Sequence, residues 1–287
     1  MNEVITTLQA NMGYAIGAFF LFSVGVAVVE FIIEWRQKQL SKWRFKEMLS
    51  SLMVFLPAQL LKGITGAITF VAFYFIADLV PWKIPVNGWT VLLAIVVLDL
   101  NYYWEHRLGH EIRVLWSYHS IHHSSPIYNF STAYRVSFIA DLFAWVFYLP
   151  IILIGFDPLV VLLALAFALS YQTWLHTGII GKLGWFGYIF NTPSHHRVHH
   201  GSDEIYLDKN YGAIFIIWDR LFGTFQEETF TPTYGLTKQL ETINPIDVHF
   251  REMANIVKDV KQARNRKDAL KYVFGHPAWK PDEPQQE

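Results

Sequence analysis

The chain has 287 residues and a formal net charge of −1, and this length suits one large domain. Its residues are 53% hydrophobic and 17% aromatic, which is too apolar for an ordinary soluble fold and favours a membrane protein. Cysteine is absent, which excludes disulfides, thiolate metal sites and iron–sulfur clusters. The near-neutral charge without a basic stripe argues against a nucleic-acid partner.

Apolar stretches predict an all-α integral membrane protein with about four to five transmembrane helices. Glu30 alone interrupts the first stretch, whereas the second contains Pro57 and is predicted to be one span, kinked or bent. The third places His106 just beyond the hydrocarbon, since seventeen helical residues cover roughly 25 Å. The stretches are residues 12–33, 51–80, 88–104, 136–155 and 158–174.

The charge distribution predicts the orientation of these spans. The loop 35–46 carries five basic residues, whereas Glu3 is the one charged residue before the first span, so this loop is expected in the cytoplasm. Alternation then places residues 105–135 and 175–287 on the same side, which brings all the histidines to one cytoplasmic face. Residues 1–236 are predicted to form the membrane-embedded domain, with a catalytic core at about 95–236. Residues 237–287 are predicted to be a polar cytoplasmic tail.

Histidines are concentrated in three clusters. The spacing of the first cluster is i, i+4, and each of the other two reads H-x-x-H-H, so each offers a patch of imidazoles on one side of a helix. His176 lies on the same predicted face. This number of imidazoles exceeds what one ion can bind, and two metals are therefore expected. The clusters are His106 and His110; His119, His122 and His123; and His196, His199 and His200.

A single histidine at a membrane interface is ordinarily a polar side chain at the level of the headgroups. The cluster spacings are difficult to explain by chance, and His176 follows a span on the cluster side. For His195 two roles are equally expected: it either binds a metal or lies beside the histidines that do. His249 and His276 are expected to be exposed side chains outside the site.

The ligand set limits the chemistry. Imidazole suits iron, zinc, copper and nickel, so ligand type alone does not choose the metal. A zinc protease requires Glu directly after the first His of H-E-x-x-H, where this chain has Arg107, and the Glu-x-x-His motif of bundle-type di-iron carboxylate proteins is absent. A dinuclear all-nitrogen site at a membrane surface favours redox chemistry with dioxygen, because lipid C–H bonds give no handle for acid–base or nucleophilic attack.

Several segments resemble the fatty acid hydroxylase/sterol desaturase superfamily, and within it the alkylglycerol monooxygenase group most. The resemblance extends from about Asp99 to Gly235, roughly half of the chain. The matching segments are 99–107, beginning Asp-Leu-Asn-Tyr-Tyr-Trp-Glu-His, 119–124, 171–177, 191–201, reading Asn-Thr-Pro-Ser-His-His-Arg-Val-His-His-Gly, and 208–211.

The resemblance implies two non-haem irons bound by the eight cluster histidines and His176, with dioxygen as co-substrate and an external two-electron donor. Asp99, seven residues before His106, is expected either to orient a ligand histidine or to be a polar residue facing the bundle interior. Asp208, Asn210 and Tyr211 are further candidates for supporting the ligands.

Two departures from the alkylglycerol monooxygenases leave the details open. Those proteins continue into further hydrophobic spans after the third cluster, whereas this chain continues into a polar segment. The resemblance therefore does not decide whether the substrate is an ether lipid or whether the reductant is a tetrahydropterin. A fused cytochrome b5 domain is also missing, so a separate partner is expected to supply electrons.

The reaction expected is hydroxylation of a membrane lipid, with its chain entering along a groove near Trp145, Phe147 and Tyr148. Desaturation by the same type of site, on a sterol or a similar lipid, is one alternative. A membrane metal-binding or transport protein is a more distant alternative. Transport ligands lie near the bilayer midplane, whereas the histidine clusters are expected beyond the ends of the spans. The lipid, the donor and the oligomeric state are not predicted.

Overall fold

The computed structural model describes residues 2–281, with side chains from Thr6 onward. Within these residues the regular structure is helical, with short 3₁₀ turns and two isolated bridges. The α-helices are α1 (Asn2–Arg36), α2 (Lys42–Leu79), α3 (Gly88–Glu111), α4 (Arg113–His123), α5 (Phe138–Phe143), α6 (Trp145–Ile154), α7 (Pro158–Thr173), α8 (Pro193–His199), α9 (Ile217–Phe222), α10 (Pro245–Lys261) and α11 (Arg266–Phe274).

Two helices, α1 and α2, are long and apolar enough to cross a membrane. Both expose large apolar side chains along their length, such as Leu21 at 70% and Leu60 at 74%. Contiguous exposed apolar surface of this kind is rare in soluble proteins, and lipid would cover it. The predicted stretch 12–33 lies within α1, and the stretch 51–80 lies in α2 apart from its last residue, Val80, which is the C-cap; α2 continues unbroken through Pro57.

The main core lies between α3, α6 and α7, and α1 packs along α7. Leu98, Ile152 and Val161 are fully buried in it. The hairpin from α6 to α7 turns at Gly155, whose φ of 105° is a left-handed conformation, and Asp157 then caps α7 through the N–H groups of Leu159 and Val160. This hairpin places His176, which follows α7, beside His122 of α4.

Residues 237–281, predicted to belong to a polar cytoplasmic tail, include two helices, α10 and α11, that pack against the rest of the chain. Val248 on α10 is buried with Val54 and Ile121. Arg113 at the start of α4 forms ion pairs with Glu252 and Asp259 of α10, at 2.9 and 2.7 Å. The sequence predicted a polar tail because charged residues dominate the composition of α10. This helix is amphipathic, however, and its apolar stripe faces α2 and α4. The predicted tail residues 282–287 lie outside the described part.

Candidate metal centre

Nine histidines converge in two groups. In each group one ring nitrogen per residue lies within 4.8 Å of the corresponding nitrogens of the others. Seven of the nine are buried, and His119 and His122 are partly exposed. The five-histidine group contains His106, His110, His119, His123 and His199, and the four-histidine group contains His122, His176, His196 and His200.

The Nε2 atoms are spaced as ligands of a common ion would be. In the five-histidine group, Nε2 of His119 lies 3.0 Å from that of His106 and 3.2 Å from that of His123. Two nitrogens bound at about 2.1 Å are about 3.0 Å apart at right angles and about 3.4 Å apart in a tetrahedron. The observed separations lie in this range, so the donor set fits a metal ion in each group.

A network of hydrogen bonds between imidazoles explains these contacts less well. His176 Nδ1 lies 3.1 Å from the carbonyl oxygen of Gln172, which only accepts, so Nδ1 carries the proton and Nε2 keeps its lone pair. That Nε2 lies 3.1 Å from Nε2 of His122 and 3.0 Å from Nε2 of His196. One lone pair cannot serve two donors in different directions, whereas a cation at the common point is satisfied by all three nitrogens.

Each H-x-x-H-H motif contributes to both groups. In α4, His119 and His123 belong to the five-histidine group and His122 to the other. On a helix of 3.6 residues per turn, position i+4 lies about 40° from position i, and position i+3 about 60° away in the opposite sense. One helical turn therefore presents its first and last histidines to one group and its middle histidine, His122, to the other.

The third cluster is arranged in the opposite sense. Here His196 and His200 join the four-histidine group, whereas His199 joins the five-histidine group. Thr192 caps α8 and Pro193 occupies its first turn, and these two residues fix the start of the helix that carries the third cluster. The two groups adjoin, because the rings of His123 and His200 stack at 4.4 Å between centroids.

Backbone carbonyls orient three of the ligands. His106 Nδ1 lies 2.8 Å from the oxygen of Tyr211, and His199 Nδ1 lies 2.9 Å from the oxygen of Lys209. With the contact between His176 and Gln172, these bonds leave Nε2 of each ring with the lone pair that could bind a metal. This arrangement is usual around protein-bound metals.

Burial keeps these imidazoles in the form that binds metals. It lowers the pKa of His176 to about 4 and the pKa values of His196, His199 and His200 well below the ordinary value. A neutral imidazole has a free lone pair. The four histidines are therefore neutral at physiological pH before any metal binds.

Among the described residues, Asp99 has no hydrogen bond to a histidine, and its contacts agree with the second of its two expected roles, a polar residue facing the interior. Its carboxylate accepts the backbone N–H groups of Ile214 and Phe215, at 2.7 and 3.0 Å, and the indole N–H of Trp218. Seven residues place His106 on the same helix face but about 10.5 Å further along the axis, beyond the reach of a short side chain. Asp99 instead fixes the segment that follows Tyr211.

The other three supporting candidates lie beside the site in different roles. Asp208 Oδ1 lies 3.4 Å from Nδ1 of His110. Burial acts to raise the pKa of Asp208, but contacts with His110 and His276 outweigh it and lower this pKa below its ordinary value. Asn210 bonds the carbonyl oxygens of His195 and Gln226 through its side-chain amide, at 3.0 and 2.8 Å.

Tyr211 contributes chiefly through its backbone. Its carbonyl oxygen bonds His106, and its N–H donates to Asp219 at 2.7 Å. Its ring packs against the rings of His106, His110 and His199. The sequence motif identified the residue, but a backbone role could not be predicted from its side chain.

The three remaining histidines belong to neither group. His195 is buried beside Phe225 and joins neither group. His249 was expected to be exposed but is 4% exposed and packs against Phe138, because α10 is docked. His276 is half-exposed, but its Nε2 lies 3.6 Å from Asp208, which places it beside the five-histidine group.

Two supporting charges had no sequence motif that marked them as part of the site. Arg197, between His196 and His199, pairs with Glu228 through two contacts at 2.7 and 2.6 Å. It also donates to the carbonyl oxygens of Thr177 and Ile180. Its position inside the third cluster was the one signal available from the sequence.

Comparison with known proteins agrees with this geometry. The model of the Fatty acid hydroxylase family matches residues 91–224, which contain all nine histidines. The chain belongs to the fatty acid hydroxylase family. No solved structure matches it significantly.

Named relatives of this family act on lipids. The chain is 35% identical to alkylglycerol monooxygenase of Homo sapiens over 92% of its own length, and it spans 59% of that relative. It is 36% identical to the ornithine lipid hydroxylase OlsE of Rhizobium tropici, over 47% of this chain and 41% of that one. It is 24% identical to a Delta(7)-sterol 5(6)-desaturase of Aspergillus fumigatus, over 72% of this chain and 75% of that one.

Proposed function

We propose that this chain is a membrane-bound, dioxygen-dependent di-iron monooxygenase that hydroxylates a C–H bond of a lipid. The observation that carries the proposal is the convergence of nine imidazoles into two adjoining groups. Membership of the fatty acid hydroxylase family and the lipid-acting relatives support it.

The five-histidine group would hold one iron and the four-histidine group the other. Bound iron would supply the activation of dioxygen that an unactivated C–H bond requires. The protein's residues fix the lone pairs of three of these histidines through carbonyl contacts. They hold the two groups together through α4 and α8, each of which contributes to both.

The lipid is proposed to enter from the bilayer side, between α6 and α3. Trp145 and Phe147 pack at the edge of the apolar core. Tyr148 is buried, and its hydroxyl donates to Glu105, the residue before His106. This contact joins the membrane hairpin to the metal centre.

For the membrane topology, we propose four to five spans: α1, α2, α3, the pair α5 and α6, and α7. The basic loop 35–46 would be cytoplasmic, and with it the histidine cap. An even number of spans between His123 and His176 is required for these residues to meet, and the hairpin of α5–α6 with α7 supplies it. The proposed membrane-embedded domain is 1–236, with its catalytic core at about 95–236, and residues 237–281 would add a packed cytoplasmic layer.

The reaction also requires two electrons and two protons from a separate donor. The balanced reaction converts R–H and O₂, with these electrons and protons, into R–OH and H₂O. A tetrahydropterin and an electron-transfer protein both fulfil this role chemically.

Desaturation is the second candidate, favoured by the match to a sterol desaturase over 75% of that relative. The same inputs would then convert a CH₂–CH₂ unit into an alkene and release two molecules of water. The hydroxylase and monooxygenase relatives are more similar to this chain, so hydroxylation is the primary proposal.

The test is comparative lipid mass spectrometry under ¹⁸O₂ in cells that express the chain or its His196→Ala variant. A lipid that gains one ¹⁸O atom, and only with the wild-type chain, supports hydroxylation. A loss of two hydrogens without ¹⁸O supports desaturation. Identical lipid profiles, with the chain present in the membrane, would reject both.

A further inference from the structure

Helix α10 forms one wall of a chamber beside the metal centre. The chamber has a volume of about 630 Å³, opens to the surface, and is lined in part by His110, His123 and His199 of the five-histidine group. Among the described residues, no member of the four-histidine group lines it. One side of α10 therefore faces an aqueous space. The residues of α10 in the lining are Val248, Arg251, Glu252, Asn255, Lys258 and Asp259.

The side of α10 that points away from the chamber is apolar and exposed. Ile246 is 70% exposed, Phe250 41% and Val257 49%. At about 100° per residue, these three side chains lie within about 40° of one another around the helix, and the middle of the chamber lining lies roughly 160° away. We call these three residues the apolar face of α10.

The apolar face is separate from the stripe that docks α10 on the protein. Val248 is buried with Val54 of α2 and Ile121 of α4, and Ile256 is also buried. The residues of the apolar face are not needed for this packing. Large apolar side chains that are exposed together indicate a contact surface, so the face requires an apolar partner outside the described protein.

The contacts of α10 place this face where two proposed spans begin. The hydroxyl of Ser50 donates to the carbonyl oxygen of Ile243, just before α10, at 2.7 Å, and the apolar stretch of α2 starts at residue 51. The ring of Phe250 lies 6.3 Å from that of Phe138, the first residue of α5. The apolar face is therefore next to the ends of membrane segments, at the boundary of the bilayer.

The charged residues beside the apolar face suit a helix in the headgroup layer. Lys258 and Lys261 follow Val257, and both are exposed. Their positions lie about 100° and about 40° from Val257 around the helix, on the side that leads towards the chamber. Long lysine side chains extend from such positions to lipid phosphates. A protein partner would have to displace the lipid around the ends of α2 and α5, whereas the bilayer is already in place.

We propose that α10 is an interfacial helix, whose apolar face inserts into the cytoplasmic leaflet of a phospholipid bilayer while its opposite side faces the aqueous chamber. The inference rests on the membrane-bound state and the topology of the proposed function. Helices of this kind insert their apolar side about 5–10 Å into the boundary between headgroups and acyl chains. α10 thus separates the bilayer from the water that reaches the five-histidine group.

The experiment uses the absence of cysteine from the chain, because one introduced thiol carries one fluorophore. Ile246→Cys and Val257→Cys place a bimane label on the apolar face. Lys258→Cys, the matched control, places it on the neighbouring residue of Val257, in the chamber lining. Each labelled full-length chain is incorporated singly into phospholipid nanodiscs, made either with ordinary lipid or with lipid brominated near the ester end of its acyl chains.

Brominated lipid should reduce the bimane emission of Ile246→Cys and Val257→Cys about twofold or more, because shallow bromines lie at the depth of an interfacial helix. The emission of Lys258→Cys should instead be quenched by iodide in the water. Iodide quenching without bromine quenching at either test position would show that the face is in water and would overturn the proposal. Emission that resists both quenchers at the test positions would show that protein covers the face, which would also overturn it.

Leu60→Cys separates this inference from the membrane-bound state on which it rests. Leu60 is 74% exposed on α2, and it lies roughly 13.5 Å further along the helix than residue 51. Lipid brominated near the methyl end of its chains should quench a label there. If Leu60→Cys is quenched and the two test positions are not, the inference on α10 fails and the membrane-bound state stands. If Leu60→Cys is not quenched either, the proposed membrane-bound state fails as well.

Discussion

Glu30 on α1 accepts the backbone N–H of Gly178, two residues after His176, at 2.8 Å. Its carboxylate also accepts the hydroxyl of Thr177 and the N–H of Phe130, and the residue is 4% exposed. The one acidic residue that interrupts the first apolar stretch therefore fastens a membrane helix to the segment that carries a ligand histidine. Ionisable residues within spans are usually retained for such contacts.

Glu30→Ala should weaken metal binding in the four-histidine group. Hydrogen bonds to a charged group contribute about 1.5–3 kcal/mol each, and the variant removes three. Iron per chain in the purified protein is expected to fall from two towards one. Glu34→Ala is the matched control, because Glu34 pairs with Arg44 and not with the site. Equal iron content in both variants would contradict this role for Glu30.

Asp208→Asn should reduce metal affinity in the five-histidine group by about 10–100-fold, the usual cost of losing a partner of a ligand histidine. Asn is the suitable replacement, because Asp208 has a φ of 57° and Asn tolerates this conformation. Competition with a chelator of known affinity measures the change. The exposed residue Glu204 provides a neighbouring control, as Glu204→Gln, and a similar affinity in both variants would show that Asp208 does not support His110.

Removal of metal by a water-soluble chelator should occur in two phases of equal amplitude. The fast phase corresponds to the five-histidine group, which the chamber reaches through His110, His123 and His199. The slow phase corresponds to the four-histidine group, which requires local opening. Release is followed by absorbance of the iron chelate, and a single phase containing both irons would show that access is equal.

Breaking the buried pair between Arg135 and Glu47 should destabilise the protein. Their atoms lie 2.8 Å apart and both side chains are 1% exposed. Glu47→Gln leaves the guanidinium uncompensated, at a cost of about 3–5 kcal/mol, whereas replacing both residues with Met should restore much of the loss. The midpoint of thermal unfolding in detergent measures this. A Glu47→Gln midpoint equal to that of the wild type would contradict the prediction.

The sequence predicted the helical class and the region of the site from patterns that are local. Apolar stretches located α1, α2, α3 and α7, because a long run of apolar residues has few other structures available. The spacing of the histidines identified the residues that converge. The superfamily resemblance added the iron and the reaction class, which spacing alone left open.

What the sequence could not predict depends on contacts between distant segments. The division of His119, His122 and His123 between two groups depends on where α8 lies relative to α4. The carbonyl oxygens of Tyr211 and Lys209 orient ligands, but every residue has a carbonyl, so no residue type marks this role. The packing of α10 against α2 and α4 could not be predicted either, because closely spaced charges dominate its composition.

We propose that the nine histidines bind two irons in interleaved groups. Iron per chain in the full-length protein, with His119→Ala and His122→Ala measured beside the wild type, tests it most directly. These residues are three apart on one helix but belong to different groups. We predict two irons in the wild type and a loss of iron in each variant, from the five-histidine group in His119→Ala and from the four-histidine group in His122→Ala. One iron per chain in the wild type, or two irons in both variants, would show that the nine histidines do not bind two irons in interleaved groups.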